Sequence, residues 1–334
     1  MFPSELRMDL ASKDWIIIAT GRADKPSDFK GLGKGKKPKK CPLCSIEDQK
    51  TPVLVMVNGK AVLGQKEIPK NWTLAVVPNK YPVLMPYFKL EQRKEGGLYK
   101  KMNAVGFHEV IIPRNHNKQV WDLPVGKVKE IIDAYQTRYL GIKDKEFVKH
   151  ISIFQNHGQD AGASLIHPHF QIITTVLLDV DLENTLLRAK KYYRKNKTCL
   201  YCDMKKHELK VKKRIVFKNN NFVALCPYAS KSPFQVIITP QKHLPYFEKI
   251  TEKEKWDLAQ AFKNVLRKIK KGLKSPSYNF YLHTAPADGK KHDYYHWHFT
   301  VMPKVKDSAG FEIGTRMEII TISPEQAAAY LRKQ

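Results

Sequence analysis

The sequence lacks any long hydrophobic segment. No apolar run approaches the roughly 18 residues that would span a bilayer. The opening MFPSELRMDLASKDW contains neither a basic leader nor a long hydrophobic stretch. We therefore expect a cytosolic, cytoplasmic protein rather than a membrane or secreted one.

Acidic residues are also scarce: 32 Asp and Glu stand against 59 Lys and Arg, which gives a formal net charge of +27. Such a charge attracts polyanions and raises the possibility of nucleic-acid binding. The basic runs at residues 30–40, 188–197 and 262–274, however, offer no aromatic platform of the kind that stacks bases. We interpret them as solvated lysine faces and loops that can attract phosphorylated small molecules. A basic nucleic-acid-binding module stays as an alternative.

Cysteine is scarce as well, with five residues in 334, but four of the five form two pairs of identical spacing. The pairs are Cys41 and Cys44 in CPLC, and Cys199 and Cys202 in CLYC, which leave Cys226 on its own. In a cytosolic chain such pairs are metal knuckles or redox pairs rather than structural disulfides.

Each cysteine pair opens the same series of features. After the first pair come WTLAVVP, then EVIIPRNH ending at His116, then HPHFQII beginning at His167. After the second pair come FVALCP, then QVIITPQKH ending at His243, then HWHFTVMP with His296. The two histidines are 51 residues apart in the first series and 53 in the second. This repeated order predicts two copies of one α+β unit.

The residue patterns within each copy predict four strands and a helix. The strands are WTLAVV, EVIIP, HISIFQ and HFQIITT, then FVAL, QVIIT, YNFYLH and HWHFTVM. Helices with apolar residues at helical spacing are expected at 124–142 and 251–269, between the second and third strand of each copy. We therefore predict an α+β fold of two fused repeats, each a mainly antiparallel sheet with a covering helix. A connecting helix near 178–198 divides the chain into domains 1–185 and 186–334.

The repeated cysteines and histidines predict two zinc sites, since Zn²⁺ prefers four tetrahedral sulfur and nitrogen ligands. The first set is Cys41, Cys44, His116 and His167, and the second is Cys199, Cys202, His243 and His296. Four protein ligands close the coordination sphere, so both ions should be structural. The alternative of reduced thiols in a core leaves the repeated histidines unexplained.

The segment HPHFQII places His167, His169 and Gln171 at alternating positions, which share one face of a β-strand. A polar outer face on a half-buried strand is the simpler interpretation. The preceding loop NHGQDAGASLI contains Asn156, Gly158, Gly162 and Ser164. Glycines beside a small hydroxyl let backbone donors approach a phosphate. A neutral imidazole is a competent nucleophile at phosphorus, and a nearby amide can donate to a non-bridging oxygen.

The run N-x-G-x-x-x-G-x-S-x-x-H-P-H-x-Q, from Asn156 to Gln171, resembles the signature of the galactose-1-phosphate uridylyltransferase family. This family is the transferase branch of the histidine-triad superfamily. The resemblance extends over nearly the whole chain, through ELRMDLASKDWIIIATGRADKPSDF, VVPNKYPVL, AGFEIGTRMEI and SPEQAAAYLR.

The resemblance implies nucleotidyl transfer through a covalent intermediate. His169 would attack the α-phosphorus of a nucleotide sugar, and Gln171 would bind the phosphoryl oxygens. The other implied contacts are Asn156, Gly162 and Ser164 at the phosphate, Asn79 near the nucleoside and Arg22 near the diphosphate. The family also implies a homodimer whose active sites draw residues from both subunits. Hydrolase branches resemble this motif with a third histidine in place of Gln171, so transfer is favoured over hydrolysis.

The second copy departs from the signature, because Thr300 follows its histidines where the first copy has Gln171. We therefore expect His298 to be structural or substrate-lining. The resemblance implies exchange between UDP-glucose and galactose 1-phosphate, with an ADP-glucose phosphorylase of the same family as the alternative. Uridine or adenine, and galactose or glucose, stay open. The segment FEIGTRMEIITIS offers Glu312, Thr315 and Arg316 where the family carries sugar-recognising residues.

Overall fold

Two β-sheets organise the part of the chain that the structure, a computed structural model, describes: residues 4–19, 41–57, 59–63, 68–86, 89–307 and 309–334. Arg22 and the basic run 30–40 lie outside these residues. Within them, no helix has the length and apolar character needed to cross a membrane.

The smaller sheet is formed by four strands, β1 (Glu5–Met8), β2 (Trp15–Ile18), β6 (Gln92–Glu95) and β7 (Tyr99–Asn103). They lie in the order β2-β1-β7-β6. The larger sheet is formed by β3 (Leu54–Val57), β4 (Lys60–Leu63), β5 (Trp72–Pro78), β8 (His108–Pro113), β9 (His150–His157), β10 (Phe170–Thr175), β11 (Ile215–Lys218), β12 (Phe222–Leu225), β13 (Val236–Pro240), β14 (Tyr278–His283) and β15 (His298–Pro303). The helices are α1 (Val125–Ile142), α2 (Val180–Asn196), α3 (Leu200–Val211), α4 (Glu252–Gly272), α5 (Gly310–Thr315) and α6 (Pro324–Arg332).

Both copies of the repeat contribute to the larger sheet. Its 11 strands run in the order β11-β12-β13-β15-β14-β9-β10-β8-β5-β3-β4. The order β9-β10-β8-β5 in the first copy is mirrored by β14-β15-β13-β12 in the second. The copies meet at β9 and β14, which pair antiparallel with Phe154 opposite Tyr281 and Asn156 opposite Asn279. Helices α1 and α4 lie between the predicted strands, so the predicted α+β fold of two repeats is confirmed.

One face of this sheet is covered by α1 and α4 and forms the main hydrophobic core. Apolar side chains of both copies share it, as in the ring contact of Phe170 with Phe280, whose centroids are 5.9 Å apart. The two helices are joined by the ion pair of Lys255 Nζ with Asp133 Oδ1 at 2.7 Å. Because strand side chains alternate between faces, the residues between the core positions point to the opposite face. The candidate site lies on that opposite face.

The connecting segment folds as α2, Val180–Asn196, where the sequence predicts a helix. The N-terminus of α2 is capped by the side chain of Asp179, whose Oδ1 accepts from Leu182 N at 2.9 Å. The division at residues 185 and 186 stays a prediction, because the two copies share a sheet and a core.

Candidate functional site

The first cysteine pair and two histidines come together at one end of the first copy. Cys44 Sγ lies 3.1 Å from His116 Nδ1 and 3.5 Å from His167 Nδ1. Cys41 Sγ lies 3.7 Å from the same nitrogen of His167. His167 Nε2 donates to the carbonyl oxygen of Pro113 at 2.7 Å, so its Nδ1 keeps a lone pair directed at the sulfurs.

The second set has the same arrangement in the second copy. Cys202 Sγ lies 3.4 Å from His243 Nδ1 and 3.5 Å from His296 Nδ1. His243 Nε2 donates to the carbonyl oxygen of Asp293, and His296 Nε2 donates to that of Pro240. The two cysteine pairs differ in local structure. Cys199 is at the N-cap position of α3 and Cys202 lies in the first turn of that helix, whereas Cys41 and Cys44 lie in a turn.

These distances fit a four-coordinate metal ion. The ligand atoms within each set all lie within 4.8 Å of one another. With zinc-type bond lengths and tetrahedral angles, a sulfur and a nitrogen ligand should be about 3.6 Å apart. Two thiols and two imidazoles whose Nδ1 atoms lie close to the cysteine sulfurs match that chemistry, so each set could hold a metal ion.

The two histidines of HPHFQ do not point the same way. Strand β10 begins at Phe170, so His167 and His169 precede it. His167 is only 1% exposed and faces the cysteines, whereas His169 and Gln171 line a cavity on the open face of the sheet. The prediction that His167 shares one strand face with His169 and Gln171 is therefore wrong. Pro168 has no N–H to donate to a ladder, and the bond to Pro113 holds the His167 ring apart.

This cavity has a volume of about 600 Å³ and gathers most of the predicted contacts. The predicted residues in its lining are Asn79, Asn156, Gly162, Ser164, His169 and Gln171. Tyr81, His108 and Phe154 also line it and were not expected from the sequence. Glu312, Thr315 and Arg316 are not among its lining residues.

The ring of His169 is held in one tautomer. Its Nδ1 donates to the carbonyl oxygen of His167 at 2.9 Å, because a carbonyl can only accept. The neutral ring therefore carries its lone pair on Nε2. Burial lowers the pKa of His169, which favours the neutral form. A neutral imidazole with a free Nε2 is suited to attack an electrophile.

The amide of Asn156 is oriented by a residue of the second copy. Asn279 Nδ2 donates to Asn156 Oδ1 at 2.8 Å and to the carbonyl oxygen of Ala161 at 2.9 Å. The NH₂ group of Asn156 is then left to donate to a ligand. The loop that follows turns at Gly162, whose φ of +81° is in the left-handed region that favours glycine.

His108 lies between two predicted contact residues. Its Nε2 lies 2.9 Å from Gln171 Oε1 and 2.9 Å from Asn79 Nδ2. Its Nδ1 accepts from Val83 N at 3.2 Å. His108 belongs to no motif that could be recognised in the sequence. The pairing of β8 with β10, with His108 opposite Ile173, brings it near Gln171.

The corresponding position of the second copy is packed differently. The His298 ring lies 4.8 Å from the His283 ring and 5.9 Å from the Tyr201 ring, and Thr300 is buried. Burial holds the pKa of His298 well below its usual range. These surroundings are consistent with a structural role for His298.

Comparisons with known proteins cover both copies. Residues 3–178 match the N-terminal domain of galactose-1-phosphate uridyl transferase, and residues 186–333 match its C-terminal domain. An ADP-glucose phosphorylase of Arabidopsis thaliana is 31% identical over 98% of this chain and 92% of that protein. A galactose-1-phosphate uridylyltransferase of Thermotoga maritima is 27% identical over 98% of both proteins.

A solved structure supports the same assignment. A crystal structure of an ADP-glucose phosphorylase from Arabidopsis thaliana with bound ADP-glucose superposes with a TM-score of 0.76, at 27% identity over 99% of both chains. The resemblance found in the sequence is thus confirmed. The chain belongs to the galactose-1-phosphate uridyl transferase family.

Proposed function

We propose that this enzyme exchanges UDP-glucose and galactose 1-phosphate through a uridylyl group carried on His169. The observation that carries this proposal is the tautomer of His169, whose Nδ1 is bonded to a backbone carbonyl and whose Nε2 is free in a cavity of about 600 Å³. Gln171 lines the same cavity and supplies an amide beside the nucleophile.

The reaction balances in two half-reactions. His169 Nε2 attacks the α-phosphorus of UDP-glucose, and the bond from that phosphorus to the bridging oxygen breaks. Glucose 1-phosphate leaves with the electron pair, and the uridylyl group stays on the ring. A phosphate oxygen of galactose 1-phosphate then attacks the same phosphorus, the P–N bond breaks, and UDP-galactose leaves. The Nδ1 proton stays on the ring throughout, where the His167 carbonyl stabilises the positive charge that the adduct acquires.

The remaining substrate contacts are proposed from the positions of the side chains in and near the cavity. Gln171, Asn156 and Ser164 would donate to phosphoryl oxygens, with Gly162 allowing close backbone approach. Asn79 would contact the nucleoside from the end of β5. Arg22 would approach the diphosphate, and it lies outside the described residues.

We further propose that each Cys₂His₂ set holds one structural Zn²⁺. The first set, Cys41, Cys44, His116 and His167, would fix the peptide whose carbonyl orients His169. The second, Cys199, Cys202, His243 and His296, would fix the start of α3 against β13 and β15. A closed set of four protein ligands leaves no position for substrate, so the ion would supply rigidity.

We also propose a cytoplasmic homodimer. Exposed apolar side chains support a partner surface near the C-terminus, where Phe311 is 51% and Ile313 is 71% exposed. Exposed apolar side chains mark an interaction site where they form a contiguous patch. The proposed division into domains 1–185 and 186–334 follows the repeat.

An ADP-glucose phosphorylase is the second candidate, favoured by the 31% identity to the Arabidopsis thaliana protein of that name. Phosphate would then replace galactose 1-phosphate as the acceptor. Nucleic-acid binding is least favoured. The basic run at 262–274 belongs largely to α4, whose apolar residues Phe262, Val265, Leu266 and Ile269 are buried in the core.

The test is intact-mass detection of the adduct after mixing the protein with UDP-glucose or ADP-glucose, since uridylyl and adenylyl groups differ in mass. Galactose 1-phosphate, glucose 1-phosphate and inorganic phosphate are then added separately to discharge it. We expect a uridylyl adduct that galactose 1-phosphate removes, and none in His169→Ala. An adduct that survives in His169→Ala would show that another residue, with His298 the next candidate, is the nucleophile.

A further inference from the structure

His108 is a buried polar residue that the transfer reaction leaves without a role. It is 4% exposed and contacts side chains from two different elements of the cavity, Asn79 after β5 and Gln171 on β10. A buried imidazole needs hydrogen-bond partners that suit its two nitrogens. Those partners fix both the tautomer of His108 and the direction of its neighbours.

The backbone decides which nitrogen of His108 carries the proton. Val83 N–H points at Nδ1 at 3.2 Å, and a backbone amide can only donate. Nδ1 must therefore accept, and the proton of the neutral ring lies on Nε2. That N–H faces the amide of Gln171 at 2.9 Å.

The His108 proton in turn decides which end of the Gln171 amide faces the ring. An N–H at Nε2 requires an acceptor, so Oε1 of Gln171 faces His108. The NH₂ group of Gln171 is then directed away from His108. The opposite tautomer would attract the NH₂ group instead and leave Oε1 to face the negatively charged phosphate.

Asn79 competes for the same ring nitrogen. Its Oδ1 accepts from Tyr81 N at 2.8 Å, so its amide cannot turn over without losing that bond. Its Nδ2 therefore faces His108 Nε2 at 2.9 Å. One nitrogen cannot donate to Gln171 and accept from Asn79 together. The Val83 N–H, which cannot rotate, favours donation to Gln171.

We infer that His108 is a positioning residue for transfer: its Nε2–H holds Oε1 of Gln171 so that the Gln171 NH₂ group faces the phosphoryl oxygens. This inference rests on the proposed function, since it assigns an orientation to the amide that contacts phosphate there. An amide fixed in this way donates in the transition state without having to reorient first.

The test compares two replacements of His108 with a matched control. His108→Phe keeps a ring but removes both nitrogens, whereas His108→Gln retains an amide N–H that can reach the place of Nε2. Thr174→Val is the control, because Thr174 Oγ1 accepts a partly buried hydrogen bond from Phe107 N, next to His108, and Thr174 does not line the cavity.

The readout is the single-turnover rate of adduct formation on His169 at saturating nucleotide sugar, with KM measured separately. We expect His108→Phe to slow the step by about tenfold to a hundredfold with a smaller change in KM. His108→Gln should restore part of the rate, and Thr174→Val should leave it within about twofold. In a Gln171→Ala background, His108→Phe should cause little further loss, because it acts through Gln171.

Equal rates for His108→Phe and the unmodified protein would overturn the inference, as would a full additional loss in the Gln171→Ala background. The ¹⁵N chemical shifts of His108 in the unmodified protein provide a readout that does not depend on activity or on the folding of a variant. An Nε2–H tautomer supports the inference, and an Nδ1–H tautomer overturns it. If no nucleotide sugar forms an adduct with the unmodified protein, the proposed function fails, and the ¹⁵N shifts still test the tautomer of His108 from which the orientation of Gln171 is inferred.

Discussion

At the scale of single residues, the reactive groups of the cavity are oriented by hydrogen bonds to residues behind them. The His167 carbonyl oxygen accepts from His169 Nδ1, and Asn279 Nδ2 donates to Oδ1 of Asn156. In both cases the partner takes one end of the group, which leaves the other end for a ligand. Donors fixed in this way stabilise developing charge more effectively than donors that must reorient. Neither His167 nor Asn279 lines the cavity, so the orientation of its reactive groups depends on residues behind its wall.

Replacing Gln171 separates transfer from hydrolysis. Gln171→Ala should slow transfer by on the order of a hundredfold, because it removes one donor to the phosphoryl group. Gln171→His recreates the third histidine that hydrolase branches carry, and we expect it to release the nucleotide to water. The measurement is free UMP formed from UDP-glucose when no acceptor is present.

Gln171→Ala is the matched control for that experiment, since it lacks both the amide and the imidazole. A Gln171→His protein whose adduct lasts as long as that of the unmodified protein would contradict the prediction. Faster release in both variants would show that water entry, rather than the imidazole, causes hydrolysis.

At the scale of elements, the helices and strands that could be predicted from the sequence are those with a clear apolar periodicity. Strands such as β12 and β14 have the predicted bounds, and α1 begins within one residue of its predicted start. Strand β6 was missed because all four of its residues are exposed, so it shows no alternation. The helix that holds Cys202 was missed because a Cys-x-x-Cys pair reads equally well as a turn.

The two Cys₂His₂ elements should fail differently when each loses a histidine. The unmodified protein should contain about two zinc ions per chain. His167→Ala should lose one ion, lower the melting temperature and abolish adduct formation, because the His167 peptide orients His169. His296→Ala is the matched variant in the second copy. It should also lose one ion and some stability, but it should still form the adduct. Zinc analysis, thermal unfolding and intact mass test the pair.

A folded and active protein with almost no zinc would exclude the structural role. Equal loss of adduct in both histidine variants would show that the second set also supports the cavity.

At the scale of the whole molecule, the two copies form a single sheet. The repeat in the sequence predicts two similar units, but not how they join, because strand pairing between distant segments depends on register. The pairing of β9 with β14 brings Asn279 opposite Asn156, and the pairing of β8 with β10 brings His108 toward Gln171. The motif residues could therefore be predicted from sequence, whereas their supporting residues could not.

Replacing Asn279 tests whether the second copy orients the groups that line the cavity. Asn279→Ala removes the donor to Asn156 Oδ1 and to the Ala161 carbonyl, so the Asn156 amide is free to turn. We expect adduct formation to slow by about tenfold, since a misplaced donor loses much of its effect.

Tyr278→Phe is the control from the adjacent position of the same strand. It removes the buried hydrogen bond from Tyr278 Oη to Gln155 Oε1 on the core face and should lower stability without slowing the step. If Asn279→Ala forms the adduct at the unmodified rate, the second copy supports the sheet but does not orient the cavity. If Tyr278→Phe slows the step equally, the effect comes from loosening the β9–β14 junction rather than from the Asn156 amide.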